Sequence, residues 1–191
     1  MLLQNKLDQI LSLVEKPARY VDNEYNSVHK AWNECDLRMV FAFPDIYEIG
    51  MSHLGLQILY GLVNSRDGMV MERTFAPWGD MEQLMRGESI PLFSLESKRP
   101  VKDFDVVGFT LQYELSFTNI LNMLDLAGIP LYASERGPKD PLVVAGGPCA
   151  FNPEPLAPFF DCFLIVEGEE GLIDFLELVR LHKQKHNGAV V

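Results

Sequence analysis

The chain has only three cysteines, Cys35, Cys149 and Cys162, and they are widely scattered. No CxxC or CxxxCxxC spacing links them, which excludes a disulfide framework and a self-contained zinc or iron–sulfur site. Basic residues are also scarce: 16 Lys and Arg against 27 Asp and Glu give a formal net charge of −11. A domain this acidic repels phosphate backbones and anionic lipid surfaces, so nucleic-acid binding is not expected. No run of about eighteen uncharged apolar residues is present to span a bilayer. The start, Met1-Leu2-Leu3-Gln4-Asn5-Lys6, lacks the basic, apolar and small-residue order of a signal peptide. A reduced, cytoplasmic setting is the expectation. The histidines His29, His53, His182 and His186 share no loop, and the last two stand at i, i+4 in a lysine-bearing tail suited to adventitious metal. A Gly-x-x-x-x-Gly-Lys-[Ser/Thr] phosphate loop is missing, which argues against a nucleotide hydrolase. No nucleophile elbow is present either.

What is there is ordinary globular composition, 48% hydrophobic and 23% charged, organised as strand–helix alternation. Leu7, Ile10, Leu11 and Val14 recur at helical spacing, predicting a helix over the first sixteen residues that Pro17 ends. The polar stretch Ala18 to Asn33 reads as an arm anchored by Tyr20, Tyr25 and Trp32. From Leu37 onward short apolar runs predict strands at 37–43, 69–73, 106–111, 142–145 and 163–166. Between them, helices are expected from a Ser52 cap through Val63, from an Asp80 cap to Gly87, and from Ser116 to Ala127 with Gly128 as the stop. A short helix is expected within Pro153 to Phe159, and a long one from Glu169 to Lys185.

Several of these strands are apolar throughout rather than alternating, as in a parallel sheet covered on both faces. The expected fold is α/β: a doubly wound, flavodoxin-like or Rossmann-like parallel sheet of about five strands, order 2-1-3-4-5, with an N-terminal helical arm. The expected division is an arm over 1–35, the α/β domain over 36–182 and a linker over 183–191.

Ligands of such sheets bind beyond the carboxyl ends of the strands, which selects four loops. The first, Pro44 to Gly55, carries Asp45, Tyr47, Glu48, Ser52 and His53 beside Gly50 and Gly55. Glycine lets backbone approach a ligand, and a helix start offers free N–H groups to an anion. A bland reading stands beside this one, with Ser52 as a cap and His53 as a first-turn residue. The second loop offers Gln112, Tyr113 and Glu114, weighed against capping by Ser116. The third, Gly146-Gly147-Pro148-Cys149, gives a sharp turn bare of side chains against which a flat group can lie, with Cys149 read mainly as packing. The fourth, Glu167-Gly168-Glu169-Glu170, suits a helix start electrostatically and equally suits donor-rich ligand groups such as amides or ribose hydroxyls.

Taken together, Gly146-Gly147-Pro148, Asn152-Pro153-Glu154-Pro155, Asp161 and Glu167-Gly168-Glu169-Glu170 resemble the B12-binding-type N-terminal domain of radical-SAM proteins. The runs Glu15 to Tyr20, Asn23-Glu24, Phe43 to Leu56, Glu72-Arg73, Ala76-Pro77-Trp78, Phe93 to Ser97 and Leu111 to Leu115 resemble an uncharacterised subfamily of it. The resemblance extends over about residues 14–180. It implies an accessory domain of an Fe–S oxidoreductase-like enzyme, covering a downstream catalytic barrel and holding cobalamin or shaping a substrate site. The [4Fe–4S] cluster and S-adenosylmethionine are expected only in a full-length protein, because this chain lacks CxxxCxxC and is not itself expected to be catalytic. The implied cofactor residues are Ser52, His53, Gly55, Gln112, Tyr113, Glu114, Gly146, Gly147, Pro148, Glu167, Gly168 and Glu169. The DxHxxG pattern of cobalt-ligating domains is not met: Met51 stands at the Asp position, and Gly55 follows His53 by two residues. Cobalamin would therefore bind without a histidine ligand. Two alternatives remain: a non-catalytic protein-interaction module on a Rossmann-like scaffold, or a flavin-binding flavodoxin-like domain.

Overall fold

A computed structural model describes residues 3–185. His186 and the remainder of the expected linker, 187–191, lie outside the described residues. Strands β1 (Leu37–Phe43), β2 (Met69–Phe75), β3 (Val106–Thr110), β4 (Leu142–Gly146) and β5 (Cys162–Leu164) form one parallel sheet, ordered β2-β1-β3-β4-β5. This is the expected doubly wound arrangement. Consecutive residues of a strand point to opposite faces, and here both faces are apolar. Val40, Ala42, Val107, Phe109, Val143 and Ala145 pack under α1 (Leu3–Leu11), α4 (Gly79–Glu88) and α5 (Phe117–Ala127). Met39, Phe41, Met71, Val106 and Val144 pack under α3 (Leu54–Asn64) and α6 (Gly168–Lys185). Each fully buried Leu, Met or Phe contributes about 1.5–3 kcal/mol, which is why the strands carry so few polar residues.

Element ends differ from the sequence reading for local reasons. The first helix stops at Leu11, although Val14 beyond it is still buried in the core. A five-residue helix, α2 (Tyr47–Met51), precedes α3; Ser52 ends it rather than opening α3, and His53 is the true N-cap. The N-cap of α4 is Trp78, and Ser89 in the left-handed conformation, not Gly87, closes it. Asp80 instead accepts the Glu15 N–H at 2.6 Å and so ties the arm to α4. Ser116 makes no cap bond; its hydroxyl donates to the Tyr113 carbonyl. Strands β2 and β4 run longer than expected, while β5 is only Cys162–Leu164. Two short 3-10 turns, Pro148–Phe151 and Ala157–Phe159, replace the expected helix after β4.

The arm is anchored by Tyr20, whose hydroxyl accepts the Trp78 N–H at 3.1 Å, and by Trp32, whose ring meets Phe104 edge-on at 5.0 Å. Tyr25 is fully exposed and anchors nothing. Helix α6 runs into the segment expected as linker, with Lys183 bridging to Asp105 at 2.7 Å. Among the described residues, no helix is long and apolar enough to cross a membrane.

Candidate functional site

At the carboxyl ends of the strands, near the point where strand order reverses between β1 and β3, a cleft of about 240 Å³ opens between the sheet and helices α3 and α6. Met39 and Phe41 of β1, Leu59 of α3, Leu164, and Leu172 of α6 give it apolar walls. At its floor Gly146 carries no side chain and is open, whereas Gly108, on the same face, yields its space to the Met39 side chain. A Cβ on Gly108 would lie 2.3 Å from the Met39 methyl and 3.8 Å from Val144, and one on Gly146 would lie 3.6 Å from the Leu164 carbonyl. Glycine inside a strand weakens the strand and commonly marks the close approach of another group; that signal, present at Gly108, was the one overlooked in the sequence.

Of the twelve residues expected at the site, His53, Gly55, Gln112, Gly146, Gly147, Gly168 and Glu169 line this cleft. The other five lie outside its lining. Ser52 is exposed, its hydroxyl spent on the Ile49 carbonyl at 2.8 Å. Tyr113 turns to the first loop, where its hydroxyl donates to Asp45; that bond and partial burial raise the phenol's pKa. Glu114 and Glu167 are exposed, and Pro148 opens a 3-10 turn. Gly147 plays a backbone role rather than that of an open floor. Its φ is +98°, and a Cβ there would sit 3.1 Å from the Leu111 nitrogen and oxygen.

His53 has a defined chemistry. Its Nδ1 accepts the Leu56 N–H at 3.1 Å as the cap of α3, and its ring packs 5.4 Å from that of Phe43. A neutral imidazole that accepts at Nδ1 carries its proton on Nε2, so in this arrangement His53 presents an N–H donor. Helices α3 and α6 both begin at the cleft, which turns two positive dipole ends toward it. Exposed apolar side chains stand at the same strand ends: Leu115 is 87% exposed, Phe151 79% and Val166 60% in the segments after β3, β4 and β5, and Leu54, 72% exposed, opens α3.

The family model for the N-terminal region of radical SAM proteins matches residues 55–189. The chain belongs to this family. An uncharacterised protein of Methanocaldococcus jannaschii is 32% identical to the chain over 92 residues, which cover 46% of the chain and 19% of that protein. The chain thus spans about a fifth of the length of the curated relative it matches. No solved structure matches it significantly.

This radical SAM N-terminal domain has a second concentration of chemistry that the sequence did not reveal. Arg73 of β2, 2% exposed, lies under the arm. Its Nε donates to Glu96 at 2.6 Å, and its Nη2 lies 3.5 Å from Glu24 and 3.9 Å from Asp22. Its guanidinium stacks 4.3 Å over the Tyr60 ring. Tyr47 donates to Glu24 at 2.5 Å, and Ser97 donates to Glu72 at 2.6 Å. Asp22 and Lys98 enter the cluster in left-handed backbone conformations, φ 53° and 57°, each a strain that the surrounding contacts must hold. Burial pushes the Glu96 carboxyl up to about 7 against the pull of Arg73, and lowers the Lys98 ammonium. Glu24 Oε2 and Arg73 Nη2 are buried without a hydrogen-bond partner among the described residues, leaving them the Coulomb contact with each other and, for Nη2, the longer one with Asp22. The runs Asn23-Glu24, Glu72-Arg73 and Phe93 to Ser97 thus meet in one buried ionic cluster away from the cleft.

The cysteines are unpaired. Burial raises the Cys149 thiol, helped by Glu114, and pushes Cys162 to about 11. Neither is an activated thiolate. Among the described residues, no group of three or more His, Cys, Asp or Glu side chains is placed to hold a metal ion.

Proposed function

We propose that the chain is a ligand-binding accessory domain of a radical SAM enzyme, and that the strand-end cleft receives cobalamin. The observation that carries this reading is the bare floor at Gly146 between the apolar walls of Met39, Phe41, Leu59, Leu164 and Leu172. A flat ring system can lie against backbone only where no Cβ intervenes. The volume, about 240 Å³, falls just below the ~300–1,000 Å³ of sites that enclose a whole ligand. The cleft therefore takes one flat portion of so large a cofactor, and the rest lies across the rim.

The residues present fit that group. Apolar walls from Phe41, Leu59 and Leu172 exclude water, while the Nε2–H of His53 supplies a donor at the mouth. Cobalamin, when bound, supplies a cobalt–carbon bond for one-carbon or radical transfer. In this reading no protein nitrogen reaches the cobalt, because the His53 lone pair is committed to the Leu56 N–H. The apolar rim of Leu54, Leu115, Phe151 and Val166 is the surface on which the domain packs against the catalytic domain. That domain would bring the [4Fe–4S] cluster and S-adenosylmethionine that this chain has no CxxxCxxC motif to support. The same rim would also suit a protein-interaction module, whose site needs no cofactor.

Thermal melting with hydroxocobalamin separates the two. A ligand at about one hundred times its Kd adds roughly 2.7 kcal/mol, a rise in Tm of roughly 5–11 °C for a chain of this size. The Gly146→Leu substitution, which fills the floor, should abolish the rise. If no corrinoid raises the Tm of the unsubstituted chain, the cofactor reading is wrong.

A further inference from the structure

We propose that the N-terminal arm is part of the ligand site, because it sets the position of α2 and, through it, of His53. The proposal rests on the cleft being a ligand site, but the coupling it asserts is measurable without ligand. Helix α2 has five residues, too few to be stable alone, and no side chain caps its start. From inside, Gly50 fits against the Phe75 and Phe43 rings, where a Cβ would lie 2.3 Å from Phe75, and Met51 Sδ lies 3.3 Å from Arg73.

From outside, two of its four side chains are gripped by the arm. Arg19 donates through Nε to both oxygens of Glu48 at 3.0 and 2.9 Å, with Lys16 adding a contact at 3.3 Å. Glu24 accepts the Tyr47 hydroxyl at 2.5 Å. Arg19 is held in turn over the Trp78 ring at 5.2 Å, and Glu24 by Arg73. Two residues after α2 comes His53, which both caps α3 and lines the cleft. Arg19 and Glu24 are thus positioning residues: they touch no ligand, yet they fix the helix that aims a cleft residue. A purely structural arm would stabilise the whole domain and leave the cleft geometry alone.

The Leu56 amide reports His53 directly, since its proton is bonded to Nδ1. Hydrogen exchange should be followed by NMR in the 191-residue chain and in Arg19→Ala, Glu48→Gln and the double variant, together with hydroxocobalamin affinity. Because Glu48 is partly exposed, loss of the pair should speed exchange at Leu56 and in α2 by roughly one-and-a-half- to fivefold. Amides of β3 and β4 should be unchanged, and the double variant should match the singles. A similar weakening of hydroxocobalamin binding is expected. Arg19→Lys, which keeps the charge and loses the fork, should recover only part of the protection. Unchanged Leu56 exchange in Arg19→Ala overturns the proposal, as does acceleration spread evenly over the sheet. Faster Leu56 exchange in a chain that binds no corrinoid upholds the coupling and overturns the cofactor reading instead.

Discussion

The buried Arg73 makes an asymmetric prediction. One guanidinium serves three carboxylates, Glu96 at 2.6 Å, Glu24 at 3.5 Å and Asp22 at 3.9 Å. Removing Arg73 takes the cation from all three and leaves the deeply buried Glu96 only a backbone N–H, while Asp22 keeps Ser27 and His29 and Glu24 keeps Tyr47; removing one carboxylate leaves the arginine two partners. Leaving a buried charge without its partner costs about 3–5 kcal/mol, so Arg73→Met should lower Tm by roughly 6–20 °C. Glu96→Gln should behave differently, because Glu96 is the carboxylate that burial has pushed up to about 7 from 4.5. Between those values the folded state holds a proton that the unfolded chain releases. The contribution of Glu96 to stability is therefore full below about pH 4.5, declines as pH rises and is lost above about pH 7. The total decline is on the order of 3 kcal/mol. A glutamine cannot ionise, but it offers the Arg73 N–H groups one oxygen in place of two, a cost of about 1–3 kcal/mol. The variant should thus be less stable than the parent at pH 5, near parity at pH 8, and without the parent's slope. Urea denaturation followed by far-UV circular dichroism from pH 5 to 8 measures this. If Glu96→Gln costs as much as Arg73→Met at every pH, or keeps the parent's slope, the reasoning fails.

Other consequences follow from the cleft. Gly147→Ala should cost about 1–3 kcal/mol in urea denaturation, because its φ of +98° strains any side chain, whereas Gly146→Ala, with ordinary contacts for a Cβ, should be neutral or stabilise by up to about 1 kcal/mol. His53→Ala should destabilise by about 1 kcal/mol through loss of the α3 cap and leave the Co(II) electron paramagnetic resonance spectrum of bound cobalamin without any lost nitrogen coupling. Leu115→Asp with Phe151→Asp should change Tm little, since both are exposed; in a full-length protein the pair should loosen the domain from its catalytic partner, as read by limited proteolysis.

The sheet was legible because its physics is local. A strand buried on both faces must be apolar throughout, so β1, β3 and β4 announced themselves, and the strand order placed four loops at one edge. What the sequence hid was set by partners far apart in the chain. Helix α2 leaves too short a pattern to show periodicity, so the α3 cap was assigned to Ser52 one residue early. The cap function of His53 shows only once its ring is seen to fold back on Leu56. Arg73 meets Glu24 at a sequence separation of 49 and Glu96 at one of 23, and the arm has no periodicity to flag its partner. The bare floor was legible at Gly146, which stands out in a double glycine, while Gly108, inside a strand and covered by Met39, did not stand out. Gly147 was read as open space, although its missing side chain serves the turn.

Hydrogen–deuterium exchange of the 191-residue chain with and without hydroxocobalamin tests the central claim most directly, because it maps where a ligand sits. New protection should be confined to segments 39–41, 53–59, 108–112, 144–147 and 164–172, which carry the residues lining the cleft, with no change around Arg73 and Glu96. Protection elsewhere, or none at a saturating concentration, would contradict the claim.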